Sequence, residues 1–457
     1  MTNFASVILA AGKGTRMKSR LPKVLHSVCG KPMLLHVIQA ARESGVHRNV
    51  IIVGHEAEMV RKAVDTEVQW AYQLEQKGTG HAVMQAEPVL KDFDGSIVIL
   101  CGDTPLITPG TMKELIESHT RTGDSATVLT AVLDDPTGYG RIIRDSSGQV
   151  MGIVEHKDAT DDQLKIQEIN TGIYCFKASR LFTALKTISP ANAQGEYYLT
   201  DVLTVLKKDG EQVGAVTAAN AQEIAGINNR VQLAEAEKEL RLRILHRLMM
   251  DGVTIIDPLN TYIDRGVDIG ADSVVFPGTI IEGKCRFGDN CHIGPYTRLK
   301  DVQAGEYVTI QNSIILESTV GNNVNIGPFA YIRPGTVLGD NVKVGDFVEI
   351  KKSVIGEGSK VPHLSYVGDA QIGSKVNIGA GTITCNYDGT KKSETIIGDN
   401  AFIGSNTNLV APIQVGNDTV VGAGSTLTKD VPEGALCVER GKQAIYPGWV
   451  TRKNEKK

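Results

Sequence analysis

The sequence predicts an α/β domain, a long connecting helix and a solenoid of six-residue repeats, in that order. Three observations predict it. Strand-like and helix-like segments alternate through the first half, an uninterrupted amphipathic run spans 230–250, and from Gly252 onward aliphatic residues recur every six positions. The expected divisions are 1–229, 230–250 and 251–457. A chain of 457 residues is too long for one compact core, so a division is expected on length alone.

The first half opens with a buried strand over 6–11 and a helix over 32–44. A second strand follows over 49–53, a second helix over 56–64, and an apolar strand over 96–100 that Gly102-Asp103-Thr104-Pro105 stops. Strands alternating with helices imply a Rossmann-like sheet of parallel type, with sites beyond the strand C-termini. In the connecting run, Leu233, Ala236, Leu240, Ile244, Leu245 and Leu248 fall at helical spacing between charges, and neither Gly nor Pro interrupts them.

In the second half Ile326, Ile332, Leu338, Val344 and Ile350 are six apart, as are Ile397, Ile403, Leu409, Val415, Val421 and Leu427. Glycine often follows the aliphatic residue. A period of six fits neither a helix nor an alternating strand. It fits a triangular coil in which each unit is one flat side and its aliphatic residue points into the prism. A phase slip falls between Val367 and Ile372, and a break falls between Thr384 and Ile397, where the polar stretch from Cys385 to Glu394 reads as a loop thrown out of the coil. Loops that interrupt a rigid scaffold are where sites lie.

Composition narrows the class further. A hydrophobic share of 41%, a charged share of 22% and a net charge of -4 describe a globular chain with no electrostatic reason to bind nucleic acid or a membrane. The seven cysteines are odd in number and contain no C-x-x-C pair, which argues against a disulfide framework and a cysteine zinc site. No signal-like or membrane-length apolar run occurs, so a soluble cytoplasmic protein is expected. The basic tail 452–457 reads as disordered.

The first chemistry-bearing motif is Leu9-Ala10-Ala11-Gly12-Lys13-Gly14-Thr15-Arg16-Met17 at the end of the first strand. Small residues let backbone N–H groups approach an anion, and Lys13 and Arg16 add charge. Met17 stands where a dinucleotide fingerprint needs its third glycine, and the Walker spacing is absent. With Leu21-Pro22-Lys23 downstream, the run resembles the signature of sugar nucleotidyltransferases.

The resemblance implies that Leu9, Ala10, Ala11, Gly12 and Arg16 wrap a nucleoside triphosphate while Lys23 neutralises phosphate. It implies that Gln73, Gly78 and Thr79 read the nucleobase, and that Cys101, Gly102 and Asp103 close a strand with Asp103 as a Mg²⁺ ligand. Gly140, Glu155 and Asn170 match sugar-binding positions, and Asn228 matches a second metal ligand. Each has a plainer reading alone: Asp103 as a turn residue, Glu155 as solvated charge, Asn228 as a helix cap. Their family order outweighs those readings. In the implied reaction a sugar 1-phosphate attacks the α-phosphorus of UTP and pyrophosphate leaves. Two anions must be held together and neutralised, and no protein nucleophile is needed.

The second half is similar to the acyltransferase half of the bifunctional N-acetylglucosamine-1-phosphate uridyltransferase and glucosamine-1-phosphate N-acetyltransferase family. With both halves in order, the resemblance spans essentially the whole chain. It implies a left-handed parallel β-helix, UTP and acetyl-CoA as co-substrates, a homotrimer with acetyl-CoA between subunits, and a place in cell-wall precursor supply. It assigns Arg333 and Lys351 to the sugar phosphate, Tyr366 and Asn377 to the sugar, and His363 to the general base. Ala380, Asn386, Tyr387, Ser405, Ala423 and Arg440 fall to acetyl-CoA. An amine attacks a thioester only when neutral, and a histidine with an ordinary pKa of about 6.5 can take its proton. Cys385 has no base beside it in sequence, and direct transfer needs no thiol.

Two rival readings stand beside this one. A nucleotidyltransferase whose solenoid only trimerises or regulates would not need Arg333, Lys351, His363, Tyr366 and Asn386 together. A non-catalytic sugar-phosphate sensor would have lost Lys23 or Asp103, and both are present.

Overall fold

A computed structural model of the chain describes residues 3–454. The chain forms two compact units, 1–240 and 241–457, and the boundary falls inside the helix Arg230–Met250.

The first unit is built on a nine-stranded sheet. Phe4–Leu9 lies at its middle, with Arg48–Val53 and then Gln69–Tyr72 to one side and Ser96–Cys101 to the other, all parallel. The chain therefore reverses its direction of winding between Phe4–Leu9 and Ser96–Cys101, and Leu9 pairs with Cys101 at their C-terminal ends. That switch point is where an open α/β sheet leaves a crevice. These strands are aliphatic on both faces because both are covered. Val7 and Ile99 belong to one core cluster; Ile8, Ile51 and Leu100 belong to the other. The helix Met33–Glu43 buries Leu34, Val37, Ile38 and Ala41 along one face. The helix Pro109–Thr122 starts at Thr108, whose side chain accepts from the Thr111 N–H, and ends at Gly123.

The sheet is mixed, not purely parallel. Glu168–Lys177 runs antiparallel between Ser96–Cys101 and Ala126–Val132. The chain returns to it through the antiparallel hairpin of Arg141–Arg144 and Val150–Val154, so it enters from the opposite end. A register shift between Asn170 and Tyr174 interrupts this strand next to the crevice.

The second unit stacks short parallel strands into three sheets of eleven, ten and nine strands, successive strands passing from one sheet to the next. The arrangement fits the left-handed parallel β-helix that the repeat implies. Ile326, Ile332, Leu338, Val344 and Ile350 are all buried, and each pairs in register with its counterpart one coil away. Small hydroxyl residues line the inner corners and satisfy the backbone there: Ala370 N–H donates to Ser353 Oγ (3.0 Å) and Val376 N–H to Ser359 Oγ (2.9 Å).

The five-residue step from Val367 to Ile372 is present, and a second separates the paired Ile350 and Ile355 columns. Left-handed backbone at Lys352 (φ 45°) and Asp369 (φ 50°) turns both corners. The loop leaves the coil between Ile383–Cys385 and Thr395–Ile397 and is closed by an antiparallel bridge from Tyr387 to Lys392. The tail departs from its reading as disordered, since Trp449–Asn454 is a short helix; residues 455–457 lie outside the described residues. Among the described residues no helix is long and apolar enough to cross a membrane.

Candidate active sites

At the switch point a cavity of about 280 Å³ opens. Its lining includes Leu9, Ala10, Ala11 and Gly12 from the first strand and its loop, and Lys23 beyond them. Gln73, Gly78 and Thr79 form another wall, Cys101 and Asp103 a third. The structure thus gathers ten of the residues singled out for the nucleotide. Gly102 stands behind them, its N–H donating to the Leu9 carbonyl (2.9 Å). Gly14 is required where it is. It has φ 61°, and a Cβ there would lie 2.5 Å from the Lys23 Cβ, so the loop and the lysine close on each other only through a glycine.

Lys23 is the electrostatic centre. Its Nζ contacts Asp103 Oδ2 and donates to Asn228 Oδ1 (3.0 Å), while Arg16 donates to the same Asn228 oxygen (2.9 Å). Ile227 N–H donates to the Asp103 carbonyl (3.0 Å), which brings the segment before the long helix to the crevice. The plainer reading of Asn228 fails on this geometry, while Asp103 does stand in a turn but directs its carboxylate away from it. Asn229, not Asn228, caps the helix, its Oδ1 accepting from Gln232 N–H (2.9 Å). Thr104 closes the turn onto the Cys101 carbonyl (2.7 Å), so the Asp103 carboxylate is free to face Lys23. A carboxylate and an amide oxygen converging on one ammonium are hard donors, the set that suits a divalent cation completed by substrate phosphates.

Gly140, Glu155 and Asn170 form a neighbouring group. Asn170 N–H donates to the Gly140 carbonyl (2.9 Å), and a Cβ on Gly140 would lie 3.4 Å from Glu155 Oε2. Burial pushes the Glu155 carboxyl above its ordinary value, against a hydrogen bond from Thr200. Asn170 Oδ1 accepts from Gly172 N–H (3.0 Å), and the Gly172 carbonyl faces Cys101 Sγ (3.7 Å), which links this group to the cavity wall. Burial and the nearby Asp103 push the Cys101 thiol up to about 12, so it is a neutral wall and not a nucleophile.

On the solenoid, His363 and Asp346 are register partners in adjacent coils, and His363 Nδ1 lies 2.6 Å from Asp346 Oδ1. The two coils approach so closely that a Cβ on Gly345 would lie 1.8 Å from the Pro362 carbonyl oxygen. Leu364 N–H donates to Asp346, Gly381 to His363, Asn406 to Ala380 and Gly424 to Ser405, each through the carbonyl of the residue named second. Asp346, His363, Ala380, Ser405 and Ala423 therefore form one column down a corner of the prism. Below the histidine every side chain in it is small. Arg440 closes the column by donating to the Ala423 carbonyl (3.1 Å).

The neighbouring face carries the charge. Arg333 pairs with Glu349 (2.7 Å), and Lys351 Nζ lies 3.7 Å from Asp369. Asn386 donates to Asp369 and lies 3.4 Å from the Tyr366 hydroxyl. Lys392, from the extruded loop, faces Lys351, whose ammonium pushes the Lys392 pKa down. With Arg333, Lys351 and Lys392 set against Glu349 and Asp369, the face carries an excess of positive charge. Tyr387 is exposed, its hydroxyl donating to the Gly389 carbonyl (2.6 Å) within the loop. Asn377 is set off from the charged face: it is in register with Lys360 and Phe402, on the sheet whose strands Lys343–Asp346 and Lys360–His363 end in Asp346 and His363. Burial raises the Cys385 thiol. Sequence reasoning missed Asp346, Asp369 and Lys392. The only signal for Asp346 was its place one coil before His363.

A crevice lined by a glycine loop, Lys23 and Asp103 at a sheet switch point, carried in one chain with a hexapeptide coil bearing a histidine–aspartate pair, is the arrangement of a nucleotidyltransferase joined to a solenoid acyltransferase. A family model described as nucleotidyl transferase matches residues 5–223, and one described as GMPPB C-terminal domain matches 317–412. "Bifunctional protein GlmU" of Pelotomaculum thermopropionicum is 57% identical, that of Heliobacterium modesticaldum 56% and that of Caldanaerobacter subterraneus 54%; each alignment covers 100% of this chain and at least 99% of the relative. The chain belongs to the GlmU family. It is a bifunctional enzyme with uridyltransferase and acetyltransferase activities, and it synthesises UDP-N-acetylglucosamine.

Proposed function

We propose that the two reactions run in the two clusters described above. On the solenoid, the amine of glucosamine 1-phosphate attacks the acetyl-CoA thioester carbonyl, the C–S bond breaks, and His363 Nε2 takes the amine proton. Asp346 holds the imidazole through Nδ1 and keeps Nε2 turned outward. Arg333, Lys351 and Lys392 hold the sugar phosphate and Tyr366 borders the sugar; Asn386, which the resemblance assigns to acetyl-CoA, contacts Asp369 beside the Tyr366 hydroxyl and so borders the sugar as well. The column of Ala380, Ser405 and Ala423, closed by Arg440, gives acetyl-CoA a groove without bulk. Tyr387, exposed on the loop, is the remaining acetyl-CoA contact that the resemblance assigns.

In the crevice a phosphate oxygen of N-acetylglucosamine 1-phosphate attacks the α-phosphorus of UTP, and the bond to pyrophosphate breaks. Lys23 and Arg16 neutralise the phosphates, Gln73, Gly78 and Thr79 border the base, and Gly140, Glu155 and Asn170 border the sugar. Asp103 and Asn228 would hold Mg²⁺, which when bound supplies further neutralisation of the triphosphate.

We place the enzyme in the cytoplasm as a homotrimer. The seven cysteines form no disulfide, in keeping with a reducing compartment. Phe329 and Phe347 are exposed and stacked, with ring centroids 5.4 Å apart, on a corner that a neighbouring copy would cover. Asn377, away from the cluster on its own chain, would then serve a site shared between copies.

The observation that carries the acetyl-transfer assignment is the His363–Asp346 contact at the head of the small-residue column. Its test is thiol release from acetyl-CoA with glucosamine 1-phosphate, in the intact enzyme and in His363→Ala. Release should fall by roughly two orders of magnitude or more in the variant, while UTP-dependent pyrophosphate release persists. Unchanged thiol release would remove His363 from the mechanism.

A further inference from the structure

Gln73 carries a hydrogen-bond arrangement that phosphoryl chemistry does not require. It lies just past the strand Gln69–Tyr72, is 4% exposed, and lines the nucleotide cavity. Its Nε2 is 3.0 Å from the Gly78 carbonyl oxygen and 3.2 Å from His81 Nδ1. A carbonyl oxygen only accepts, so the nitrogen end of the Gln73 amide must be the end turned toward Gly78. The second amide hydrogen then meets His81, whose Nδ1 must present a lone pair, with the imidazole proton on Nε2. Gln85 Nε2 donates to the His81 carbonyl (3.0 Å) and is 3.4 Å from the ring Nε2, a longer contact than that at Nδ1. The accepting nitrogen is therefore Nδ1. With both amide hydrogens taken, Gln73 offers the cavity only Oε1, an acceptor.

An acceptor held in place discriminates between pyrimidines. Uracil carries a donor N–H at N3, whereas cytosine carries a lone pair there. An unrestrained glutamine amide would not discriminate, because half a turn about its last torsion exchanges oxygen and nitrogen. The Gly78 carbonyl occupies one hydrogen, and His81 occupies the other. We propose that His81, acting through Gln73, fixes the base-reading amide as an acceptor and so sets the preference for a uridine over a cytidine triphosphate. This rests on Gln73 being the base contact. His81 is a positioning residue, held on the short helix Thr79–Met84 beside the Tyr197 ring (6.4 Å between centroids).

The test compares kcat/KM for UTP and CTP in pyrophosphate release, with acetyl transfer as the control for folding. In His81→Ala and His81→Leu the UTP-over-CTP ratio should fall roughly tenfold or more, chiefly through a raised KM for UTP. His81→Asn, whose Oδ1 can stand near the place of Nδ1, should restore the ratio to within about threefold. A purely structural role for His81 would lower kcat for both nucleotides and leave the ratio alone. An unchanged ratio in the His81 variants, with Gln73→Ala collapsing it, overturns this inference and leaves Gln73 as the base contact. An unchanged ratio in Gln73→Ala overturns the base-contact reading itself. If both apolar variants lose all uridylyl transfer, His81→Asn decides: a kept ratio supports the proposal and a lost one overturns it.

Discussion

Asp346 shows how one side chain can govern a site it need not touch. Hydrogen bonding to His363 holds its carboxyl below the ordinary carboxylate range, so it stays an acceptor throughout the neutral pH region. Replacing it with Asn offers the imidazole an amide that can flip and present a donor. Asp346→Asn should lower kcat for acetyl transfer by roughly ten- to a thousandfold, with KM values within about threefold and uridylyl transfer unchanged. Steady-state kinetics of both reactions checks this, and an unaltered kcat would make the contact incidental. Lys392 should behave differently. Lys392→Ala removes one of two facing cations, so KM for glucosamine 1-phosphate should rise about tenfold while KM for acetyl-CoA holds. Neither residue was legible in the sequence, and the reason is geometric. His363 stood out because it follows Pro362 where the aliphatic rhythm is interrupted. Asp346 is a whole coil away, and Lys392 lies in the extruded loop, where no periodicity tells which side chain turns back toward the coil. Lys23 and Asp103 were legible because each lies in a local motif, whereas their contact across eighty residues was not.

At the scale of single elements, hydrophobic periodicity located the parallel strands read over 6–11, 49–53 and 96–100 and the helices read over 32–44 and 56–64, but neither the strands between Ala126 and Lys177 nor their direction. Glu168–Lys177 buries both faces, with Ile169, Ile173, Cys175 and Phe176 inside, and a doubly buried strand reads the same whichever way it runs. The helix Pro109–Thr122 carries a further feature hidden from pattern reading. His119 is buried on it between Ser96 Oγ (3.1 Å) and Thr127 Oγ1 (2.9 Å), and burial drives its pKa down to about 4, with Asp124 opposing. An unfolded histidine titrates near 6.5, so between these values the unfolded chain binds the extra proton. The stability His119 contributes as a neutral ring is fully present above pH about 6.5 and is lost as the pH falls toward about 4, by up to on the order of 3 kcal/mol. His119→Gln removes the titration. Its denaturation midpoint for the uridyltransferase activity should fall less between pH 7 and 4.5 than that of the unaltered enzyme. Parallel pH profiles for the two proteins would exclude this linkage.

For the whole molecule, the decisive feature is that the chain has two separate cores, to which we assign two separate chemistries. The six-residue period made the solenoid legible from the sequence because it repeats over many coils. The five-residue step from Ile350 to Ile355 escaped because one shortened corner looks like the end of a run. In a solenoid each coil rests only on its neighbours, so a buried defect acts within that stack. Ile350 is fully buried between Ile332 and Val367, and it lies between Glu349 and Lys351 of the anion cluster. Ile350→Ala should cost about 2–5 kcal/mol and abolish acetyl transfer at a lower temperature, with the midpoint of uridylyl transfer unmoved. Leu100→Ala, in the strand that ends at the nucleotide cavity, should do the reverse. Heating each variant and assaying both residual activities separates two accounts of this chain. Crossed losses mean that the units unfold independently and that each site depends on its own core. Paired losses in both variants would mean that the long helix Arg230–Met250 couples the units into a single cooperative block.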